Sequence, residues 1–164
     1  MRQIKVEKVT VNIGVGEPGD KLENMSHLLN QITNSKPVKT TTKRRIPEWD
    51  IRPGLQIGVK TTLRGEEADA FLKRALTAVE DKISMAKFDK CGNFSFGVGE
   101  YVHIPGVKYD YSVGMVGLSV AVTLYRPGFS IAKKRKKSKI GKSHLISKED
   151  AVEFIKEKYK VNIS

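Results

Sequence analysis

The sequence is poor in residues that support covalent or metal chemistry. Its 164 residues include one cysteine and three histidines. A single cysteine, Cys91, cannot form an intramolecular disulfide, which favours a reducing compartment. The histidines are scattered, and Cys91 has no partner at metal-ligand spacing. No nucleophile, base and orienting group can be named together. We therefore predict no metal, no cofactor and no enzymatic activity.

We also expect no signal peptide, and the sequence contains no long apolar run. Hydrophobic residues make up 39% of the chain, and no run approaches the roughly 20 apolar residues that span a bilayer. No predicted helix has a basic face opposite a strongly apolar one, so nucleic acid is a better candidate partner than an anionic membrane. We expect a cytoplasmic protein with no membrane partner.

The sequence also has few acidic residues for its basic ones. It contains 18 Asp and Glu against 30 Lys and Arg, which gives a net charge of +12. The excess is concentrated. Residues 36–64 contain eight basic and two acidic residues, and residues 133–142 contain seven basic residues and no acid. The rest of the chain is nearly neutral. Clustered like charges repel one another without a counter-charge, so we predict a polyanionic partner.

Hydrophobic periodicity predicts both strands and helices in one domain, which is the expected number at this length. Strands are predicted over residues 4–13, 38–42, 55–63, 94–98, 101–104 and 118–125. Helices are predicted over residues 19–34, from 65 to about 83, and over 147–160.

Residues 36–64 form two predicted strands joined by a long basic loop. Pro47, Pro53 and Gly54 break regular structure there. Trp49 lies in a charged loop where burial is difficult, so it either contacts a partner or anchors the loop. Loops on rigid scaffolds often carry function. The predicted contacts of this loop are Lys43, Arg44, Arg45, Trp49 and Arg52.

The second basic segment, 132–146, has no apolar period before Ile140. We expect it to be extended and ordered only by its partner. Ser147 then begins the last helix, with Asp150 placed for a capping box. The predicted phosphate contacts are Lys133, Lys134, Arg135, Lys136, Lys137, Lys139 and Lys142. By analogy with duplex DNA, even ~6 phosphate contacts would lower affinity about a thousandfold between low and physiological salt.

Two motifs have a second interpretation. Gly14, Gly16 and Gly19 form a G-x-G-x-x-G after a strand and before a helix, which keeps open the alternative of a nucleotide-binding enzyme. The expected acidic residue about twenty positions on is missing, and a tight turn is the favoured interpretation. Phe94 and Phe96 could stack on RNA bases, but core positions are favoured.

Four blocks resemble, in order and spacing, the family of the 5S-RNA-binding ribosomal protein number five of the large subunit. They are EKVTVNIGVGE (7–17), KPVKTTTKRR (36–45), IRPGLQIGVKTTLRG (51–65) and GNFSFGVGEYVHIPGVKYDY (92–111). We expect the chain to have no counterpart of the extra N-terminal helical segment of bacterial members. Its RPGFSIAKKRKKSKIGKSH run and final helix resemble the archaeal and eukaryotic branch.

The resemblance implies an α+β fold in a single domain over residues 1–164. Its sheet is expected to be antiparallel-rich (mixed), with helices packed on one face, a long basic loop and a basic C-terminal segment. It also implies a structural constituent of the large subunit. Such a protein binds 5S rRNA and large-subunit rRNA in the central protuberance, beside other ribosomal proteins there. Loop 43–54 matches the loop that reaches P-site tRNA, and residues 101–116 match the part that faces small-subunit protein thirteen across an intersubunit bridge.

The resemblance also implies a set of 5S rRNA contacts. Asn12 matches the family's Asn at the end of the first strand, and Thr62 matches its Thr before Leu-Arg. Where the family usually has Gly-Gln-Lys-Pro, residues 34–37 read NSKP, so Ser35 replaces Gln and would need a bridging water to make that contact. The implied 5S-binding residues are Asn12, Ser35, Lys36, Thr62 and Arg64. We expect a neutral face to hold 5S rRNA and a cationic loop to touch tRNA.

Overall fold

A computed structural model describes residues 1–136 and 138–163, so Lys137 of the basic segment lies outside the described residues. Helices occur where apolar residues recur about every 3.6 positions, and strands occur where apolar and polar residues alternate. In chain order they are β1 (Lys5–Gly14), α1 (Asp20–Thr33), β2 (Val38–Thr41), β3 (Gln56–Leu63), α2 (Gly65–Thr77), β4 (Lys82–Ile83), β5 (Phe94–Val98), β6 (Leu118–Tyr125), α3 (Lys148–Tyr159) and β7 (Asn162–Ile163).

The main sheet is antiparallel and has five strands in the order β2-β3-β1-β6-β5. β2 and β3 form the predicted antiparallel pair, with Val38 opposite Lys60. β4 and β7 form a separate parallel pair. The α+β class is therefore confirmed.

The chain divides into two compact units, each built from separate stretches of sequence. One unit contains Met1–Val9, Arg64–Phe96 and the chain from Ala121 onward, including α2, α3 and the basic segment. The other contains Thr10–Leu63 and Gly97–Val120, including α1, β2, β3 and the basic loop. One domain over residues 1–164 stays a prediction.

In the second unit, alternate side chains of β1 and β3 enter the core. Val11 and Val59 are fully buried, while Asn12 and Thr62 are exposed. α1 packs against β3, and each large apolar side chain that it buries stabilises the fold by about 1.5–3 kcal/mol. The buried stripe of α1 is the predicted one: Leu22, Met25, Leu28, Leu29 and Ile32. The opposite face of these strands is left open.

The ends of α1 were predicted in part. Asn34 closes the helix in the left-handed region at φ 51°, as its position suggested. The start differs, because Gly19 is the N-cap residue and Pro18 precedes the helix rather than lying in its first turn.

Two other predictions about local structure were wrong. The strand over 101–104 is a 3-10 turn at Tyr101–His103. Tyr101 is fully buried, and its hydroxyl accepts a hydrogen bond from the Asp110 amide at 2.9 Å, so a tertiary contact overrides the strand pattern. Helix α2 ends at Thr77 instead of continuing to about 83, because Glu80 and Asp81 adopt positive φ angles of 56° and 54°.

Asp69 joins α2 to α3 in the first unit. The Tyr159 hydroxyl donates to its Oδ1 at 2.6 Å, and Lys158 Nζ donates to its Oδ2 at 2.8 Å. Burial raises the pKa of Asp69, but the hydrogen bonds from Lys158 and Tyr159 outweigh burial, so the pKa lies below its ordinary 3.8. Burial and the hydrogen bond to Asp69 raise the pKa of Tyr159.

Replacing Asp69 by Asn tests this link. Because the folded-state pKa is lowered, the carboxylate stabilises the fold above its unfolded pKa, and this contribution is lost as the pH falls through the folded value. We expect D69N to lower the free energy of unfolding by about 1–2 kcal/mol at pH 7, and by less at pH 3. Urea denaturation at both pH values measures the difference, with E157Q on the exposed side of α3 as the control. A loss that is independent of pH would contradict the assignment.

Candidate nucleic-acid interface

The basic loop 43–54 has its own hydrogen-bond framework. Ile46 and Ile51 exchange backbone hydrogen bonds at 2.9 and 3.1 Å, and the Thr42 hydroxyl donates to the Arg52 carbonyl at 2.6 Å. Pro47–Trp49 forms a 3-10 turn at the tip. Ile51 is buried. The loop therefore presents its side chains from a defined backbone.

The loop cations form no ion pair with an acidic residue of the described chain. Within residues 1–136 and 138–163, the ion pairs involve none of the predicted loop cations, Lys43, Arg44, Arg45 and Arg52, and all four are exposed. Trp49 is 69% exposed. Because Ile51 supplies the buried contact of this loop, the Trp49 indole is free to contact a partner.

The predicted neutral residues lie on open parts of the second unit. Asn12 and Thr62 are exposed on the neighbouring strands β1 and β3. In the part of the chain that the structure describes, neither side chain makes a hydrogen bond. Ser35 is half-buried and Lys36 is exposed, both on the connection from α1 to β2. The structure thus brings Asn12 and Thr62 to adjacent strands, with their polar groups available.

Gly58 allows β1 and β3 to approach closely. A Cβ atom at this position would lie 2.9 Å from the Ile13 carbonyl oxygen and 2.9 Å from Thr40 Oγ1. Any larger residue would therefore push against the backbone of β1. This glycine helps to hold the strands that carry Asn12 and Thr62.

Arg64 differs from the other predicted contacts because it already has an acidic neighbour. Its Nη1 atom lies 3.8 Å from Glu7 Oε1, and Lys133 of the basic segment pairs with the same oxygen. Both cations remain mostly exposed, whereas the Glu7 side chain is only 18% exposed.

The described part of the basic segment is irregular between a 3-10 turn at Phe129–Ala132 and another at Lys142–His144. Its predicted cations are exposed: Lys133, Lys134, Arg135, Lys136, Lys139 and Lys142. Lys137 lies outside the described residues. The flanks of the segment are fixed to each other. Arg126 donates from Nη1 to the Leu145 carbonyl at 3.1 Å, and His144 Nε2 lies 2.9 Å from the Pro127 carbonyl oxygen.

These contacts between the two flanks form the base of the basic segment. The sequence did not predict them. Phe129 meets the His144 ring edge-on at 5.6 Å between centroids, and Arg126 has only 11% of its side chain exposed. The available signal was a pair of motifs, RPGF and SH, on either side of the lysine run.

Asp150 ties the base to α3. The predicted capping box is confirmed, because Ser147 Oγ accepts from the Asp150 amide at 3.1 Å and Asp150 Oδ2 accepts from the Ser147 amide at 3.3 Å. Arg126 Nη2 donates to the same Oδ2 at 3.0 Å. The backbone hydrogen bond from Ser147, outweighing burial, holds the pKa of Asp150 below its ordinary value, with further help from Arg126.

The structure decides between the two interpretations of the G-x-G-x-x-G motif at residues 14–19 and of the Phe94 and Phe96 pair. A dinucleotide fold needs parallel neighbouring strands joined by a helix, but the strand after α1 pairs with β3, and β1 lies between β3 and β6. Gly16 and Gly19 adopt φ angles of 85° and 123°, as a tight turn requires. Phe94 and Phe96 are buried with Phe88, so the core interpretation is confirmed.

The described residues contain neither a membrane-spanning helix nor a metal-binding group. None of their helices is long and apolar enough to cross a membrane. No three of their His, Cys, Asp or Glu side chains are grouped so that they could hold a metal ion.

The fold and its exposed basic surfaces define a class, an α+β protein whose cationic surfaces suit a polyanionic partner. Comparisons with known proteins identify the family within this class. The profile described as "Ribosomal protein L5" matches residues 1–52, and the profile for the C-terminus of the same ribosomal family matches residues 56–159. The chain belongs to the ribosomal L5 family.

Proteins named large ribosomal subunit protein uL5 are similar to this chain over almost its whole length. The relative from Sulfurisphaera tokodaii is 50% identical over 165 residues, covering 99% of this chain and 93% of the relative. That from Nanoarchaeum equitans is 50% identical, with 99% and 97% covered. That from Nitrosopumilus maritimus is 42% identical, with 100% and 95% covered. The archaeal-type resemblance is confirmed, and the chain is a structural ribosomal protein, not an enzyme.

Replacing Arg126 by Lys tests the base of the basic segment. Lysine keeps the charge but cannot make the two-sided contact with Leu145 and Asp150. We expect a loss of about 1–3 kcal/mol in the free energy of unfolding. We also expect faster trypsin cleavage within 133–142, mapped by mass spectrometry, with cleavage in loop 43–54 of the same chain as the control. Equal acceleration at both places would show that the effect is global and not local to the base.

Proposed function

We propose that this large-subunit protein holds 5S rRNA through its neutral strand residues and contacts P-site tRNA through loop 43–54. The observation that carries the proposal is the different chemistry of two exposed surfaces of the second unit. Asn12 and Thr62 present neutral hydrogen-bonding groups, whereas the loop presents cations without acidic partners among the described residues. Two kinds of contact with RNA follow from these two kinds of surface.

The neutral surface suits recognition of RNA shape. Amide and hydroxyl groups can bond both to 2′-hydroxyls and to base edges, and they do not depend on salt as cations do. Asn12 and Thr62 are the centre of this surface, because their side chains make no hydrogen bond within the described residues. Ser35 and Lys36 extend it, and Ser35 reaches the RNA through a bridging water. Arg64, two residues after Thr62, adds a charge at the end of β3.

The basic loop suits an approach to a phosphate backbone. Arg44 and Arg45 can each grip phosphate oxygens with two N–H groups, while Lys43 acts as a point charge. Stacking of a base on the exposed Trp49 ring would be worth about 1–3 kcal/mol. Contact with a tRNA backbone in the P site needs this combination, since phosphate contacts position the protein without reading sequence.

The basic segment suits large-subunit rRNA. Its described cations are exposed and its flanks are held by Arg126 and His144. A segment with fixed flanks loses less conformational entropy on binding than a free tail. We assign it to rRNA of the central protuberance, next to other proteins of that region. The cytoplasmic ribosome is the location that membership of the ribosomal family gives.

Residues 101–116 suit a protein contact across the subunit bridge. Tyr111 and Met115 are 91% and 65% exposed, and charged residues are few in this stretch. The stretch is held by the bond from the Asp110 amide to the Tyr101 hydroxyl and by a bond from Asn24 Nδ2 to the Ser112 carbonyl at 3.3 Å. We assign it to small-subunit protein thirteen.

The division between the two surfaces predicts different effects of two sets of substitutions. N12A/T62A should weaken binding to a 5S rRNA transcript about tenfold or more, since each lost hydrogen bond is worth about 0.5–1.5 kcal/mol. K43A/R44A/R45A should leave 5S binding nearly unchanged and weaken tRNA binding to the P site of reconstituted ribosomes. Filter binding measures the first effect, and tRNA retention measures the second.

Matched controls exist elsewhere in the chain. N30A/T77A removes the same residue types from exposed positions on helices, and K87A/K90A/K156A removes three charges outside the loop. Neither control should affect its corresponding assay. Equal losses of 5S binding from N12A/T62A and K43A/R44A/R45A would overturn the proposed division.

A further inference from the structure

Glu7 connects two groups of predicted RNA contacts that are far apart in sequence. It lies on β1 within the first unit, where Arg64 and Lys133 also belong. Its Oε1 atom pairs with Lys133 Nζ and lies 3.8 Å from Arg64 Nη1. A single carboxylate oxygen therefore meets one cation from the end of β3 and one from the start of the basic segment.

The charges of this cluster do not cancel. Two cations face one carboxylate, which leaves a local charge of about +1. The side chains of Arg64 and Lys133 are 62% and 64% exposed, while that of Glu7 is 18% exposed. The carboxylate thus lies beneath the two cations, and their outer sides remain open to an anion.

This arrangement differs from an ordinary surface ion pair. Lys39 and Glu23 form a one-to-one pair in the second unit, and the Glu23 side chain is 57% exposed. Such a pair neutralises itself and contributes little. In the Glu7 cluster, the shared carboxylate reduces the repulsion between two cations and keeps them at a spacing that one phosphate group, with its several oxygens, can bridge.

We propose that Arg64 and Lys133 form one phosphate-binding cradle, with Glu7 as its positioning residue. This inference rests on the proposed function, because the anion is a phosphate of the 5S rRNA backbone. It adds that the basic segment begins on the same RNA that β3 contacts. Arg64 and Lys133 then act as one unit, while cations further along the segment act independently.

A double-substitution cycle with the 5S transcript tests the cradle. R64Q and K133Q should each weaken binding about tenfold at moderate salt. Because loss of either cation breaks the shared contact, R64Q/K133Q should weaken binding by much less than the hundredfold product. The control cycle combines R64Q with K139Q, whose lysine has no ion pair among the described residues. For this pair we expect the two effects to multiply.

E7Q gives a readout that a purely structural role would not change. Without the carboxylate, Arg64 and Lys133 should bind any polyanion more freely but hold the 5S phosphate less specifically. We expect the ratio of affinities for the 5S transcript and for unrelated RNA of equal length to fall at least threefold. K39Q, which breaks the Glu23 pair, should leave this ratio unchanged.

The outcomes separate the inference from the function on which it rests. Suppose the wild-type chain binds the 5S transcript, but the affinity losses of R64Q and K133Q multiply as those of the control pair do. The proposed cradle is then wrong, and the proposed function stands. An E7Q ratio equal to that of the wild type would also overturn the positioning role of Glu7. If the wild-type chain does not bind the transcript, the proposed function itself fails.

Discussion

The exposed cations of the basic loop make no ion pair among the described residues, although Glu48 and Asp50 lie in the same loop, and the account of this protein depends on that constraint. Lys43, Arg44 and Arg45 are consecutive, exposed and without acidic partners in the described chain. Their mutual repulsion opposes the folded loop, and the Ile46–Ile51 hydrogen bonds with the buried Ile51 side chain hold it closed. A fold that maintains such a loop supplies a binding surface for an anion. Because the chain belongs to the ribosomal L5 family, we propose that this anion is RNA.

The scaffold supports this role by covering only one face of its long strands. In the second unit, α1 packs on β3 and buries the alternate side chains, so that Asn12 and Thr62 remain accessible. In the first unit, Arg126 and His144 hold the flanks of the basic segment, and Glu7 pairs with its first lysine. Electrostatics and strand packing thus decide together which polar groups remain exposed. A buried strand face stabilises the fold, and the opposite face stays open to solvent.

Local patterns in the sequence predicted much of this fold. The alternation in β5 and β6 was strong enough to place both strands at their observed bounds. The strand predicted at 101–104 failed because Tyr101 is fixed by a contact with Asp110, which no local pattern encodes. Helix α2 was predicted too long because Ile83 continues its apolar spacing. The backbone leaves the helix at Thr77, and Ile83 lies in β4, which pairs with a strand near the end of the chain.

The site shows the same division between local and long-range information. Charge clustering located the basic loop and the basic segment, and resemblance located Asn12 and Thr62. Neither could show that Glu7 lies against both Arg64 and Lys133, since these residues come from three distant stretches. The His144 contact with Pro127 was missed for the same reason.

Lysine acetylation footprinting tests the central claim most directly. The full chain is modified when free, when bound to 5S rRNA, and within large subunits carrying P-site tRNA, and each lysine is quantified by mass spectrometry. The account predicts that 5S rRNA protects Lys36 but leaves Lys43 reactive, that tRNA then protects Lys43, and that Lys87 stays reactive throughout. Equal protection of Lys36 and Lys43 by 5S rRNA alone, or protection of neither in the large subunit, would contradict it.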